Sequence, residues 1–304
     1  MAAGQAREPQ RRPRTSHAET ALQRLWRVLR RLLRHPVYAA SVAAVLLRHP
    51  RLVRAGLRGG WRAALLAHCI ELCPVAADLL TPYEAGFFGQ VFLFDEYEVG
   101  RLPLPAAPTV VDVGANVGFF SWRVAALRPA ARLLAFEPAS DNHARLARIF
   151  EALGIHGEAC RLACGASSGT ARLFLRSSVT HSLDATWHDD LDRGAGSEEV
   201  ALTTLDLACA ARGLSELDLL KIDTEGAEGE VLAGAAGILA HTRFVVLEYH
   251  SGERREACLH ALEAAGFRCR IKRFWGAGAA GGQEGLLLCR RAAGRAAAAA
   301  PAAP

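Results

Sequence analysis

Leu22, Leu25, Trp26, Leu29, Leu32 and Leu33 fall at helical spacing, and Arg24, Arg27, Arg30, Arg31 and Arg34 occupy the rest of the circumference. Residues 21–34 therefore predict a basic amphipathic helix. Pro36 and Pro50 punctuate a further helical stretch, Gly59-Gly60 breaks it, and 61–80 reads as another helix. From Thr109 the period changes to alternating strand and helix. Strands are predicted at Thr109–Val113, Arg132–Phe136 and 158–163, with helices at 117–127 and 140–153 between them. Two more strands, 171–176 and 199–202, flank a polar loop. A helix at 205–211, a strand at Leu217–Ile222, a helix at 227–239, a strand at 243–248 and a helix at 254–264 follow. Strands at 268–274 and 285–289 flank the Gly/Ala loop 276–282 and read as a hairpin. This grammar predicts an α/β fold whose mostly parallel sheet is covered on both faces and carries an antiparallel edge.

Composition divides the chain. At 304 residues, 51% hydrophobic and 22% charged, it has the profile of a globular protein and excludes a disordered or collagenous one. The net charge of +5 hides an asymmetry: residues 1–66 hold 14 Arg and 2 Glu, a net +12, which leaves 22 basic and 29 acidic residues, a net −7, for the remainder. The expected organisation is a disordered basic arm at 1–16, a helical basic region at 17–84, the α/β domain at 85–291 and an Ala-rich tail at 292–304. Three roles are open to the 21–34 helix: packing on the body, lying on an anionic membrane surface, or binding nucleic acid, for which no recognised motif is present. The uncharged run 36–47 has twelve residues where a membrane span needs about 20, and it starts too late for a signal peptide. The expected location is cytoplasmic, with peripheral contact at the inner face of the membrane through the Arg-rich helix. The eight cysteines then read as free thiols, and the absence of CxxC and HExxH motifs gives no support for structural zinc.

Candidate chemistry lies at strand ends, since ligands of open α/β sheets bind beyond the carboxyl ends of the strands. Three acidic turns meet that rim: Asp112-Val-Gly114-Ala-Asn116-Val-Gly118, Phe136-Glu137-Pro138, and Lys221-Ile-Asp223-Thr-Glu225-Gly226. Gly114 and Gly118 permit a tight turn and close backbone approach to a ligand, the next helix N-terminus offers N–H groups, and Glu137 is placed to accept two ribose hydroxyls. Together they suit a nucleoside-type cofactor. The dinucleotide pattern GxGxxG fails, because Asn116 and Phe119 stand where glycines belong, which leaves NAD and an oxidoreductase as an alternative.

Val110 to Phe120, Ala135 to Pro138, and Leu219-Leu-Lys-Ile-Asp-Thr-Glu-Gly-Ala-Glu228 with Val231-Leu-x-Gly234 resemble the FkbM-type S-adenosylmethionine-dependent methyltransferases over roughly residues 85–290. The resemblance implies a class I methyltransferase fold, Rossmann-like with seven strands, and S-adenosylmethionine as cofactor. It implies O-methylation of a hydroxyl on a sugar, glycoconjugate, glycolipid-like or natural-product acceptor. It places Asp112, Gly114, Asn116 and Gly118 along the methionine part of the cofactor, Glu137 at the ribose, and Asp223 at the reacting methyl; the adenine contact stays unassigned.

A hydroxyl acceptor gains from a base at the rim. His250, just past a predicted strand end, is the first candidate, with a hydrogen-bonded structural role as the alternative, and Asp223 is the second. Glu225 and Glu228 read as first-turn residues that favour the helix dipole, and Glu248 as a strand-end residue or a partner of the base. His181 and Ser182, in the loop that runs to His188-Asp-Asp190, are expected to contact the acceptor; that loop could also hold a divalent ion, although its His and Asp lack fixed ligand spacing. An alternative class of function is a membrane- or nucleic-acid-associated module whose body only senses a nucleotide.

Overall fold

Val110, Val111 and Val113 are buried on both faces of the first strand, which is why a β-branched run without alternation forms the centre of a sheet and not its edge. The computed structural model describes residues 47–175, 181–183, 196–274 and 284–292. The expected arm 1–16, the helix 21–34, residues 176–180 and 184–195 of the loop that carries His188, the 276–282 loop and the tail from 293 lie outside the described residues. Of the chain's two compact units, Met1–Arg48 and His49–Pro304, the second carries the α/β fold.

Its elements are α1 (Pro50–Gly59), α2 (Trp61–Leu72), α3 (Ala76–Leu79), α4 (Glu84–Phe92), a 3-10 turn Val99–Arg101, β1 (Thr109–Val113), α5 (Phe119–Leu127), β2 (Arg132–Phe136), α6 (Ser140–Leu153), β3 (Gly157–Cys160), β4 (Ala163–Cys164) and β5 (Gly169–Phe174). They continue with β6 (Ser197–Thr203), α7 (Leu205–Ala210), β7 (Leu217–Ile222), α8 (Glu228–Ala233), α9 (Ala236–Ala240), β8 (Thr242–Tyr249), α10 (Gly252–Ala264), β9 (Phe267–Arg273) and β10 (Gly285–Arg291). The main sheet has seven strands in the order β3-β2-β1-β7-β8-β10-β9, parallel except that β10 runs antiparallel to both neighbours. Strand order therefore reverses between β1 and β7, and a crevice opens there. This is the seven-stranded class I arrangement expected above, with its edge hairpin. A second sheet, β4-β6-β5, stands beyond the β3 side of the rim.

Four expectations change. The 61–80 helix ends at Leu72, because Pro74 cannot continue it, and a single turn, α3, follows. The predicted 158–163 strand is two strands in different sheets, since the chain turns at Arg161-Leu162 and Leu162 N–H donates to the Cys160 carbonyl. The 227–239 helix breaks into α8 and α9 at Gly234, where a Cβ would stand 2.0 Å from the Gly165 carbonyl oxygen. Cys269 and Cys289 are not free thiols: the β9–β10 register places them directly opposite, 4.0 Å apart at Cα, and they form a disulfide. The other six cysteines are free and buried.

Residues 61–92 do not form a separate layer from the sheet-covering helices. Phe119, Phe120, Ser121, Trp122 and Val124 are all buried, so α5 is covered on its outer side as well as by the sheet. Phe88 stacks on Phe92 at 4.2 Å between centroids and meets Trp122 at 5.4 Å, in a cluster with Cys69, Cys73, Leu79 and Ile149. Among the described residues no helix is long and apolar enough to cross a membrane.

Candidate active site

The tight turn after β1 fixes the crevice. Gly114 adopts φ +74°, and a Cβ there would lie 1.7 Å from the Asp223 carbonyl oxygen, so only glycine lets this loop close on the end of β7. A pocket open to solvent runs over this contact from Glu137, Asn142 and His181 to Asp223 and Glu225. Leu162, Ala163 and Leu173 supply apolar wall.

Of the residues that the sequence places at the cofactor, Gly114, Asn116 and Glu137 line this pocket, whereas Asp112 and Gly118 do not. Asp112 is fully buried beneath the loop, accepts the Ser121 hydroxyl at 2.7 Å and pairs with Lys221 Nζ at 3.2 Å. Lys221 in turn donates to the Gly114 carbonyl at 2.6 Å. The role of Asp112 is thus to anchor the lysine that holds the loop, and Gly118 packs against Leu146. Burial opposes the charge on Lys221, but Asp112 and Asp223 outweigh it and raise its pKa. Glu137, 5% exposed, accepts the backbone N–H of Asn116 (2.8 Å) and of Ala139 (2.9 Å), one on each oxygen. Each oxygen keeps a further lone pair toward the pocket.

At the other end His250, 8% exposed, is ringed by acid groups. Its Nδ1 hydrogen-bonds the fully buried Glu228 carboxylate at 3.0 Å, and its Nε2 lies 3.4 Å from Glu225, 3.7 Å from Asp223 and 3.8 Å from Glu248. Tyr97 donates its hydroxyl to Glu248 at 3.0 Å and lies 3.4 Å from Asp223. Burial opposes a charge on His250, but Glu225, the Glu228 hydrogen bond and Glu248 raise its pKa well above the usual imidazole range. Burial pushes Glu225 up to about 8, against the pull of His250, and burial together with the Asp223 charge pushes Glu248 well up.

Glu225 and Glu228 do more than favour a helix dipole. Glu225 holds a left-handed φ of 52°, and Ser182, fully buried, donates its hydroxyl to the Glu225 carbonyl at 2.6 Å. Such backbone costs of order 1 kcal/mol and is held in place by that bond. Ser182 therefore supports the rim, while His181 lines the pocket, with burial lowering its pKa. Thr180, Asp184 and His188 lie outside the described residues. Asp223, Glu225 and His250 offer atoms within 4.8 Å of one another, a spacing that could hold a divalent ion. Reading by sequence missed Tyr97, 126 residues from Asp223, and the partnership of Glu228 with His250. Nothing local marks either residue.

The donor set fits a nucleoside cofactor with a cationic tail. Glu137 has acceptor capacity for two ribose hydroxyls, and Asp223, Glu225 and Glu248 give the rim an excess of carboxyl groups over its one histidine, His250. A positive sulfonium and ammonium are favoured beside such an excess.

Residues 112–269, just over half of the chain, match the methyltransferase FkbM domain. The chain is 31% identical over 168 residues to the 2-O-methyltransferase NoeI of Sinorhizobium fredii, a match that covers 50% of this chain and 67% of that protein. It is 28% identical over 227 residues to the AMB antimetabolite synthetase AmbE of Pseudomonas aeruginosa; this covers 61% of the chain but only 11% of the far longer synthetase. Among solved structures, a methyltransferase FkbM from Methylobacillus flagellatus is similar over 81% of this chain and 60% of its own, with 14% identity and a TM-score of 0.43.

Proposed function

We propose that this chain, which belongs to the FkbM methyltransferase family, transfers a methyl group from S-adenosylmethionine to a hydroxyl of a sugar, glycoconjugate or natural-product acceptor. The observation that carries the reading is the pocket that joins Glu137 to Asp223 and Glu225 across Gly114, with His250 Nε2 3.4 Å behind Glu225. A nucleoside held by its ribose at one end presents its tail at the other. The name of the relative NoeI, a 2-O-methyltransferase, favours oxygen as the acceptor atom.

When bound, the cofactor supplies a methyl group already activated by the sulfonium charge. The chain supplies alignment, which can contribute about 7–11 kcal/mol in favourable cases, and a proton acceptor. Glu137 receives the ribose hydroxyls, and the Gly114 turn brings backbone against the cofactor. Asp223 and His250 face the acceptor hydroxyl from the ends of β7 and β8, and Tyr97 closes the site from the segment before β1. Glu228 on Nδ1 fixes the imidazole so that Nε2 points to the rim, as an orienting carboxylate does in other acid–base pairs. His250 would accept the hydroxyl proton at Nε2 as the oxygen takes the methyl group, with the imidazole's own Nε2 proton passed beforehand to the neighbouring Glu225 or Asp223 carboxylate.

The test is calorimetric titration with S-adenosylmethionine and with NAD, followed by transfer of labelled methyl to a panel of saccharide and polyol acceptors. S-adenosylmethionine binds, methyl enters at oxygen, and His250→Ala and Asp223→Asn each lower turnover about 100-fold or more while cofactor affinity changes only a few-fold. NAD binding in its place, or full turnover in both variants, overturns the reading.

A further inference from the structure

Helix α1 exposes a stripe of arginines. Arg51, Arg54 and Arg58 recur at i, i+3 and i+7, all exposed, while Leu52 and Gly56 face inward. Leu57 stands beside them at 77% exposure. After the break at Gly60, Trp61 lies across the α1 backbone at Gly56, where a Cβ would come within 2.7 Å of the indole, yet 44% of Trp61 stays exposed. Arg62 follows, with its guanidinium 5.0 Å from the centroid of the Tyr83 ring. No acidic residue occurs between Glu19 and Glu71, so no side chain of α1 or of the first two turns of α2 neutralises these arginines.

We infer that the α1–α2 face, through Arg51, Arg54, Leu57, Arg58, Trp61 and Arg62, docks on an anionic bilayer. The chemistry of both residue types points there. Arginines attract lipid phosphates, and an amphipathic helix held flat at the interface buries leucine and tryptophan into the headgroup–acyl boundary. A face built for a nucleic-acid backbone would gain nothing from an exposed leucine, whereas a protein-binding face would carry some acidic complement to its arginines. The remainder of the chain is acidic, a net −7 after residue 66, so the orientation on the membrane is set by this end of the molecule. The inference stands apart from the catalytic reading and does not need it.

The experiment is co-sedimentation of the full chain with vesicles of phosphatidylcholine alone and of equimolar phosphatidylcholine and phosphatidylglycerol. The chain sediments with the anionic vesicles only, and added salt releases it. Arg51→Glu/Arg54→Glu/Arg58→Glu weakens binding about tenfold or more, as loss and reversal of three surface charges require. Leu57→Ser weakens it by a factor that added salt does not change, since no charge is altered. Unchanged thermal unfolding shows that each variant is folded; Arg→Gln at the same three sites replaces the reversal if it is not. Absence of binding to anionic vesicles overturns the inference. So does binding that survives the triple variant, which would move the contact elsewhere in the chain. Displacement from vesicles by duplex DNA or RNA at lower concentration than by anionic lipid would assign the face to nucleic acid instead.

Discussion

Glu137 joins the cofactor pocket to the titration behaviour of the fold. Burial pushes its carboxyl up to about 7, against the pull of the Ala139 and Asn116 N–H groups and of Lys221. A carboxyl whose folded pKa stands above its unfolded value binds more protons when folded. Its contribution to stability is fully present below about 4.5 and is lost as the pH rises through about 7. The shift corresponds to roughly 3 kcal/mol between pH 4 and pH 8. Glu137→Gln therefore costs stability at both ends, since its amide cannot accept both backbone N–H groups, but the cost is smaller at pH 8 than at pH 4. Urea unfolding of the cofactor-free pair at the two pH values reads that difference directly; a cost that does not depend on pH would show that the carboxyl titrates normally. At this scale the sequence showed where Glu137 stands, because the end of a predicted strand is a position along the chain. Its protonation depends on water excluded by Phe136, Leu162 and Leu173, and no one-dimensional pattern records that.

The loop between β1 and α5 shows how an element places chemistry that it does not itself carry. Gly114 closes on the Asp223 carbonyl, Lys221 bonds the Gly114 carbonyl, and Asp112 anchors Lys221, so the two central strands are locked at the point where the cofactor must bind. Gly114→Ala adds a left-handed backbone penalty and a methyl group inside a carbonyl contact; it should destabilise the fold by at least about 2 kcal/mol and abolish S-adenosylmethionine binding. Gly154→Ala is the control. It caps α6 at φ +58° with open space around its Cβ, so it carries the backbone penalty alone, about 1 kcal/mol, and leaves binding intact. Equal losses of binding in the two variants would mean that general destabilisation, and not the loop, is responsible. The central strands β1, β2 and β7 were legible because their apolar runs and boundaries are local. The break at Leu72 had a local mark in Pro74, whereas Arg161-Leu162 depends on where the chain must go next and Gly234 answers to a carbonyl 69 residues away in the sequence. The Cys269–Cys289 bond was hidden in the same way, because it follows from hairpin register and not from cysteine spacing.

Within residues 49–304, helices α1 to α4 and the α/β body form one compact unit, although charge and composition divide them. Glu84, 1% exposed at the start of α4, pairs with Arg145 of α6 at 2.6 Å, and Arg145 also donates to the Leu79 carbonyl. Burial works against the Glu84 charge, but the Thr81 N–H and Arg145 outweigh it and hold its pKa below the usual carboxylate range. Tyr97 then carries the chain from this helical layer to Glu248 and Asp223, so a shift of α4 against α6 would be felt at the reacting groups. Arg145→Ala leaves a buried carboxylate without its cation and should cost roughly 3 kcal/mol or more. Glu84→Gln in the same chain removes the orphaned charge, so the double variant should be more stable than Arg145→Ala alone. Urea unfolding of the three variants gives the coupling. Strictly additive effects would show that the pair does not join the layers, and the helical region would then be packed on the body by the Phe88–Trp122 cluster alone.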